Sequence, residues 1–482
     1  MAFAMPGLVY IKKQSTKMEV HMNTQSKTLL VAPFLQLAKR PLEGPGDRFN
    51  LLVHWHATAP QIELQIQLPG QSYWISIRRR KRIVRFPGVP AHYRFTAEVR
   101  GLEQGTQVPY RLMHSGNEIF SALAYVPRSP NLKFGFLADC GDGSLRSKAI
   151  AFDLHQERPD VIVFGGDLCY DWGTWEEFVE KFFDVYNFDV ADPTQGAPLL
   201  RSIPFIAVIG NHELGRPMIR IKPGENKIGL WAYFLFFDNN ADDHYADESA
   251  IASVFGGTDG LETFLQSSSR VELPPTNFAY NLCSTFILAL DGNQYMNWDD
   301  HQARDWVRLV LKGTKAAWKF VFVHQPAFSA DTVHGGEEQI RMLFDIFQEC
   351  GVSAVFSGHG HIAEITYPIL FKPQRYVRGK NMDADVKVEG RLKLDKTFFL
   401  RGDRFPIGIF QFNNGNGGQL ADVRHLPDPD DLPPFTYRIE GSTCCLTTCD
   451  VSDTAFTYHL KSVGQRILQT INVKLQREEK CA

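Results

Sequence analysis

Apolar and polar positions follow two different rhythms along the chain. From Thr28 to about Ser129 the apolar residues come in short alternating runs, Leu51 to His56, Ile62 to Leu68, Tyr73 to Ile77, Tyr93 to Val99 and Tyr110 to Met113. Turns bearing glycine or proline separate them, at Pro69-Gly70, Pro87-Gly88 and Ser115-Gly116. Period-two alternation with such spacing predicts a small antiparallel sandwich. After Pro127 to Pro130 the pattern becomes an apolar run, a polar turn, then a helical stretch. The apolar runs are Phe134 to Ala138, Val161 to Gly165, Ile203 to Ile209, Phe320 to Val323 and Ala354 to Ser357. Helical periodicity follows at Arg146 to Arg158, Trp175 to Tyr186, Asp299 to Leu311 and Glu337 to Cys350. Strands alternating with helices predict an α/β layer architecture.

Three parts follow from this reading: a flexible N-terminal tail over 1–27, a β-sandwich over 28–130, and an α/β domain over 131–482. The span Leu214 to Asn277 is irregular, aromatic and acidic, as suits a lid, and Lys372 to Arg404 reads as a polar insert. Strand patterns return at Cys444 to Thr448 and Ala455 to Leu460.

Composition changes this picture little. The 482 residues are 44% hydrophobic and 22% charged with net charge −3, an ordinary globular balance with no global field toward nucleic acid or anionic membrane. No run reaches the roughly 18 apolar residues that span a bilayer. The eight cysteines lack framework spacing, no Asn-x-Ser/Thr acceptor occurs, and neither Met1 to Tyr10 nor Thr28 to Ala38 has the order of a signal peptide. These features set the expectation of a cytoplasmic protein.

The chemistry lies where the apolar runs end. Asp139-Cys140-Gly141, Gly166-Asp167-Leu168-Cys169-Tyr170, Gly210-Asn211-His212-Glu213, Val321-Phe322-Val323-His324 and Gly358-His359-Gly360-His361 each close one of them. An α/β fold gathers distant residues at the carboxyl ends of its strands in this way. Asp139, Asp167, Tyr170 and Asn211 offer oxygen, and His324, His359 and His361 offer nitrogen. A mixed O/N set suits Fe, Mn or Zn and argues against a thiolate finger. Seven donors exceed one four-coordinate ion and match two ions sharing a bridging carboxylate.

The ordered series D-x-G, G-D-x-x-Y, G-N-H-E, V-x-x-H, G-H-x-H resembles the purple acid phosphatase branch of the calcineurin-like metallophosphoesterases. The wider superfamily usually opens with D-x-H; here Gly141 stands in place of that histidine and Tyr170 supplies the missing donor. Ala32 to Gln36 followed by Val53-His54-Trp55 resembles the family's fibronectin-like sandwich, so the likeness spans roughly residues 29 to 470. It implies a metallophosphoesterase β-sandwich flanked by helices as the catalytic domain over 131–482. By the same resemblance Asp139, Asp167, Tyr170 and His361 hold a ferric ion, and Asn211, His324 and His359 hold a divalent Fe, Zn or Mn, with Asp167 bridging. His212 would contact the substrate phosphate and leaving group, Glu213 would orient His212, and His334 would be a second substrate-facing histidine. The implied reaction is cleavage of a small phosphate monoester by a metal-bound hydroxide.

Two rivals stay open: a phosphodiesterase or nucleotide pyrophosphatase with the same site, and a catalytically silent metal-binding interaction protein. The departures are Cys140 and Cys169 inside the donor loops and the loose setting of His334. Other features have plainer readings. Arg78 to Arg82 is expected as a solvated β-hairpin, Cys444, Cys445 and Cys449 as buried strand thiols, His54 and His56 as structural, and His301 as a surface helix residue. Asn413 to Gly418 is a glycine-rich turn that would border the site or stand apart from it.

Overall fold

The structure, a computed structural model, describes residues 28–38, 48–85, 89–214, 230–237, 276–282, 284–377, 386–401, 405–420 and 426–475. The expected tail and most of the expected lid lie outside these residues. Two large sheets pack face to face. One has ten strands, in the order Ile467–Lys474, Ala455–Ser462, Cys445–Val451, Leu132–Leu137, Val161–Gly165, Phe205–Val208, Leu29–Leu37, Arg48–Ala57, His92–Glu103 and Arg79–Val84. The other has seven: Phe278–Leu282, Thr285–Leu290, Trp318–Val323, Ala354–Ser357, Phe410–Asn414, Ala363–Thr366 and Thr436–Glu440.

Aromatic side chains fill the seam between them. Phe134 and Phe136 of the first sheet meet Phe322 and Phe356 of the second at ring-centroid distances of 5.5–5.8 Å, and all four are fully buried. The tilted and edge-on contacts suit the ring quadrupoles as well as the burial of area. The central strands of each sheet run parallel: Leu132–Leu137, Val161–Gly165 and Phe205–Val208 in one, Trp318–Val323, Ala354–Ser357 and Phe410–Asn414 in the other. Their carboxyl ends therefore open on one edge. Buried on both faces, such strands read as continuous apolar runs, which is why they were legible.

Helices cover the outer faces. Leu145–Glu157 starts on Ser144, whose hydroxyl accepts from Arg146 N and Ser147 N; His301–Lys312 starts on Asp300 in the same manner. Trp175–Glu177 carries a full capping box between Thr174 and Glu177, and the helical path continues as a π stretch, Phe178–Phe183, into Asp184–Tyr186. The Lys372 to Arg404 insert takes in Lys387–Leu394 and the later part of its partner strand, Ile369–Val377.

Residues 29–125 form an all-β sandwich, with the four-stranded sheet Ile75–Ile77, Glu63–Ile66, Gln107–His114, Asn117–Tyr125 as its second layer. Trp55 stacks on Phe95 inside it, centroids 5.0 Å apart. Its larger layer does not stop at residue 130. Leu29–Leu37 pairs in parallel with Phe205–Val208, Leu35 N donates to Leu200 O at 2.8 Å, and Tyr110 Oη donates to Arg201 O at 2.7 Å. One sheet thus runs through both units. The basic run Arg78 to Arg82 enters a largely exposed β-hairpin, as expected, whose second arm is His92–Glu103 rather than the preceding strand Ile75–Ile77. Ile75–Ile77 pairs with Glu63–Ile66 and Arg79–Val84 with His92–Glu103, so the chain changes sheets at Arg78. His54 and His56 are fully buried and His301 is exposed, as expected.

Replacing Tyr110 by phenylalanine leaves a buried carbonyl without its donor. Denaturant unfolding should show a loss of about 1–3 kcal/mol, and an unchanged midpoint would mean the bond adds nothing to the junction.

Candidate metal centre

All seven expected donors meet at the shared strand edge. Tyr170 Oη donates to Asp139 Oδ1 at 3.0 Å, and His361 Nε2 lies 3.7 Å from the same oxygen. His324 Nε2 lies 3.3 Å from Asp167 Oδ2, 4.0 Å from Asp139 Oδ1 and 3.1 Å from Asn211 Oδ1. Asp167, His324 and His359 each offer a donor atom within 4.8 Å of the others. The floor, Asp139, Asp167, Tyr170, His324 and His359, is buried, while Asn211, His212, His334 and His361 form a half-buried rim.

The backbone explains how donors from distant segments fit together. Asp139, Asp167 and His359 have φ of 53°, 52° and 69°, left-handed conformations that cost a non-glycine residue about 1–3 kcal/mol each. Each turns sharply at a strand end and faces inward. Gly141 has no room for a side chain, since a Cβ there would stand 1.9 Å from Leu168 O. The two loops instead bond directly, Tyr170 N to Gly141 O at 3.0 Å, which places the tyrosine where a histidine cannot fit. Gly166 (φ +93°) lets His324 approach to where a Cβ would be 2.5 Å from its Nδ1.

Hydrogen bonds then orient the rings. His324 Nδ1 donates to Gly165 O at 2.8 Å and His212 Nδ1 donates to Asp171 O at 3.1 Å. In each case Nε2 is turned to the site, His212 Nε2 lying 3.9 Å from Asp167 Oδ2. Such bonds to the remote nitrogen fix tautomer and orientation.

Glu213 does not orient His212, which corrects the expectation. It lies in the single turn His212–Leu214 that points it inward. There it accepts from Asp167 N, Leu168 N and Gly210 N at 3.0, 2.7 and 2.6 Å. Fully buried, it clamps two donor loops together. His334 lies beside the centre, its ring 4.0 Å from His359 and 6.5 Å from His361. Glu337, expected only as the start of a helix, sits ahead of the helical segment Gln339–Leu343. It accepts from His359 Nε2 at 2.8 Å and His334 Nδ1 at 3.4 Å. Sequence reasoning passed over it; its spacing of three from His334 was the available signal. The Asn413 to Gly418 turn does border the site, with Gly415 against Asp139 and Gly417 N donating to Ala138 O at 3.1 Å. Cys140 and Cys169 are free and buried, and burial pushes both thiols well up. They remain protonated and do not act as donors. Cys444, Cys445 and Cys449 are likewise free and buried at the strand Cys445–Val451.

Three buried carboxylates gather around one buried imidazole. Burial drives Asp139 well above the usual carboxylate range, Asp167 adding to the rise. Burial and Asp167 push Glu213 up to about 7. Asp167 goes the other way: burial alone would raise it, but His324 and His212 outweigh that and hold it well down. Against the cost of burial, Asp167 and Asp139 push His324 up to about 10. Carboxyl groups crowded into a buried space that raises two of them, beside hard oxygen and imidazole donors, fit a divalent or trivalent cation that can take the place of their protons. Zinc-finger chemistry is not what these donors offer.

Comparison with known proteins gives a family match and a likeness of fold. Residues 132–363 match the family of calcineurin-like phosphoesterases. A purple acid phosphatase from yellow lupin (Lupinus luteus) seeds is similar in structure, with TM-score 0.59 and 13% identity over 92% of this chain and 74% of that one. At that identity the likeness speaks for the fold. GAP50, the anchor in the inner membrane complex of Plasmodium, is more loosely similar, with TM-score 0.41 and 12% identity over 72% of this chain and 90% of that one. No curated protein sequence matches the chain. Among the described residues no helix is long and apolar enough to cross a membrane.

The signs of these shifts set a pH dependence. Glu213 and Asp139, raised in the folded state, and His324, raised to about 10, hold protons that the unfolded chain would release earlier. Without metal, their contribution to stability therefore falls as pH rises through the window from about 4.5 to 10. Cations displace protons from Asp139 and His324, so metal affinity rises over the same window. The increase in Tm on adding Zn²⁺ or Mn²⁺ should thus be larger at pH 8 than at pH 5. A metal-induced increase independent of pH would contradict this electrostatic account.

Proposed function

Because residues 132–363 match the calcineurin-like phosphoesterase family, we propose that this chain is a dinuclear-metal hydrolase of small phosphate monoesters, of the purple acid phosphatase type. The observation that carries the reading is the convergence of Asp139, Asp167, Tyr170, Asn211, His324, His359 and His361 around two buried carboxyl groups, Asp139 and Asp167. Asp139, Asp167, Tyr170 and His361 would hold a ferric ion, and Asn211, His324 and His359, with Asp167 shared, a divalent Fe, Zn or Mn. Such a pair supplies Lewis acidity to the phosphoryl oxygens and lowers the pKa of water.

The chain's own groups do the rest. His212 stands on the rim with Nδ1 tied to Asp171 O, so Nε2 is the atom that can give a proton to a departing alkoxide. Its ring lies 4.2 Å from that of Tyr170, which restricts the orientations it can take. His334, at the same rim, offers a second contact for phosphate oxygens. Glu213 keeps the Asp167 and Asn211 loops at fixed separation. A phosphodiester would use the same groups. Elemental analysis of the purified protein, followed by a panel of monoesters and diesters, tests the reading. Two bound ions with monoester turnover are expected; turnover of diesters alone, or none at full metal occupancy, would refute it.

Two substitutions probe individual roles. Tyr170→Phe should abolish the visible phenolate-to-Fe(III) band while the fold persists; an unaltered spectrum removes Tyr170 from the iron site. His212→Ala should keep the metal content and slow turnover of esters with poor leaving groups by about 10²–10⁴-fold. Wild-type rates on such esters would exclude it as the proton donor.

A further inference from the structure

Glu337 takes no part in the chemistry above, yet it touches two of the site's histidines. Its Oε1 is 2.8 Å from His359 Nε2 and 3.4 Å from His334 Nδ1, and the two rings lie 4.0 Å apart. An ionised carboxylate only accepts, so the hydrogen of His359 resides on Nε2. The lone pair is then left on Nδ1, in a histidine that groups with Asp167 and His324. This is the reverse of His324, whose Nδ1 is tied to a carbonyl and whose Nε2 faces the donors Asp167 and Asn211. The two imidazoles thus need opposite tautomers, and each has a hydrogen-bond partner of the right kind.

The segment that carries Glu337 is held from both sides. Asp331 Oδ1 accepts from Val333 N and His334 N, each at 2.8 Å, and Glu337 N donates to His334 O at 3.2 Å. Asp331 also packs beneath Gly360, where a Cβ would come within 2.9 Å of it. On the far side Glu338 N donates to Val386 O at 2.9 Å, and Glu338 Oε2 accepts from Val388 N at 2.8 Å. The polar insert thereby braces the turn from outside the site.

We propose that Glu337 is a positioning residue for the divalent-ion half of the centre: it sets His359 to ligate through Nδ1 and ties the rim histidine His334 to the same anchor. The proposal rests on the dinuclear reading above. Carboxylates that hold the remote nitrogen of a ligating histidine raise its basicity and lock its ring, and their loss costs about 10–100-fold in metal affinity. Glutamine at 337 can still accept from His359 without a charge, whereas alanine cannot accept at all.

The test is metal binding by the full chain, using chelator-buffered Zn²⁺ or Mn²⁺ and elemental analysis of wild type, Glu337→Gln and Glu337→Ala. In Glu337→Ala the weaker-bound ion should lose affinity by about 10–100-fold, with the tighter ion retained and the metal-free form melting with the wild type. Glu337→Gln should fall between, and it carries the test should the alanine variant not fold. Wild-type affinity for both ions in the variants would overturn the proposal, as would equal loss of both ions with a lowered metal-free Tm. A third equivalent in wild type that Glu337→Ala abolishes would also overturn it, by making these side chains a cation site themselves. Wild type that takes up no pair of ions would instead refute the dinuclear reading, and the proposal with it.

Discussion

Two hydrogen bonds across the seam between the sheets hold the centre together. His324 follows the strand Trp318–Val323 of one sheet and donates to Gly165 at the end of a strand in the other. His359 N, on the second sheet, donates to Asp139 Oδ2, on the first, at 2.7 Å. Neither bond forms unless both sheets end their central strands at one height. The phenylalanines between the sheets set that height, since rings packed this closely leave no freedom to slide. Packing in the core is therefore converted directly into the geometry of the donors.

The centre is costly before any cation arrives. Left-handed backbone at Asp139, Asp167 and His359 and carboxyl groups forced to share a buried space are both unfavourable. A structure retains such features where the surroundings over-determine them. Here the clamp by Glu213 and the loop-to-loop bond between Tyr170 and Gly141 do so. A site built this way is preorganised, because its donors do not need to be collected when the ligand binds.

Much of this was legible in the sequence, for a physical reason. Strands buried on both faces are continuous apolar runs, and donors at their ends stand out against them, so the seven candidates and the α/β architecture could be read directly. What escaped depended on contacts distant in sequence or on direction. The pairing of Leu29–Leu37 with Phe205–Val208 joins segments with no local signal of their union. Glu213 follows His212 in the chain, which suggested partnership, yet the tight turn sends consecutive side chains to different places. Glu337 reaches a residue 22 positions away, and only its spacing of three from His334 hinted at a place in the site. The basic run at Arg78 to Arg82 is one arm of a hairpin, as its alternation suggests, but pairing partners, not pattern, decide that its other arm is His92–Glu103 and that Ile75–Ile77 belongs to a different sheet.

The unbroken ten-stranded sheet has a consequence for how the molecule can be divided. Removing everything ahead of residue 130 would uncover the backbone edge of Phe205–Val208, which neighbours the strand leading to Asp167. An apolar edge of that kind recruits other chains. The leading sandwich therefore acts as a permanent cap on the half that bears the metal donors, and the smallest piece expected to stay monodisperse includes both.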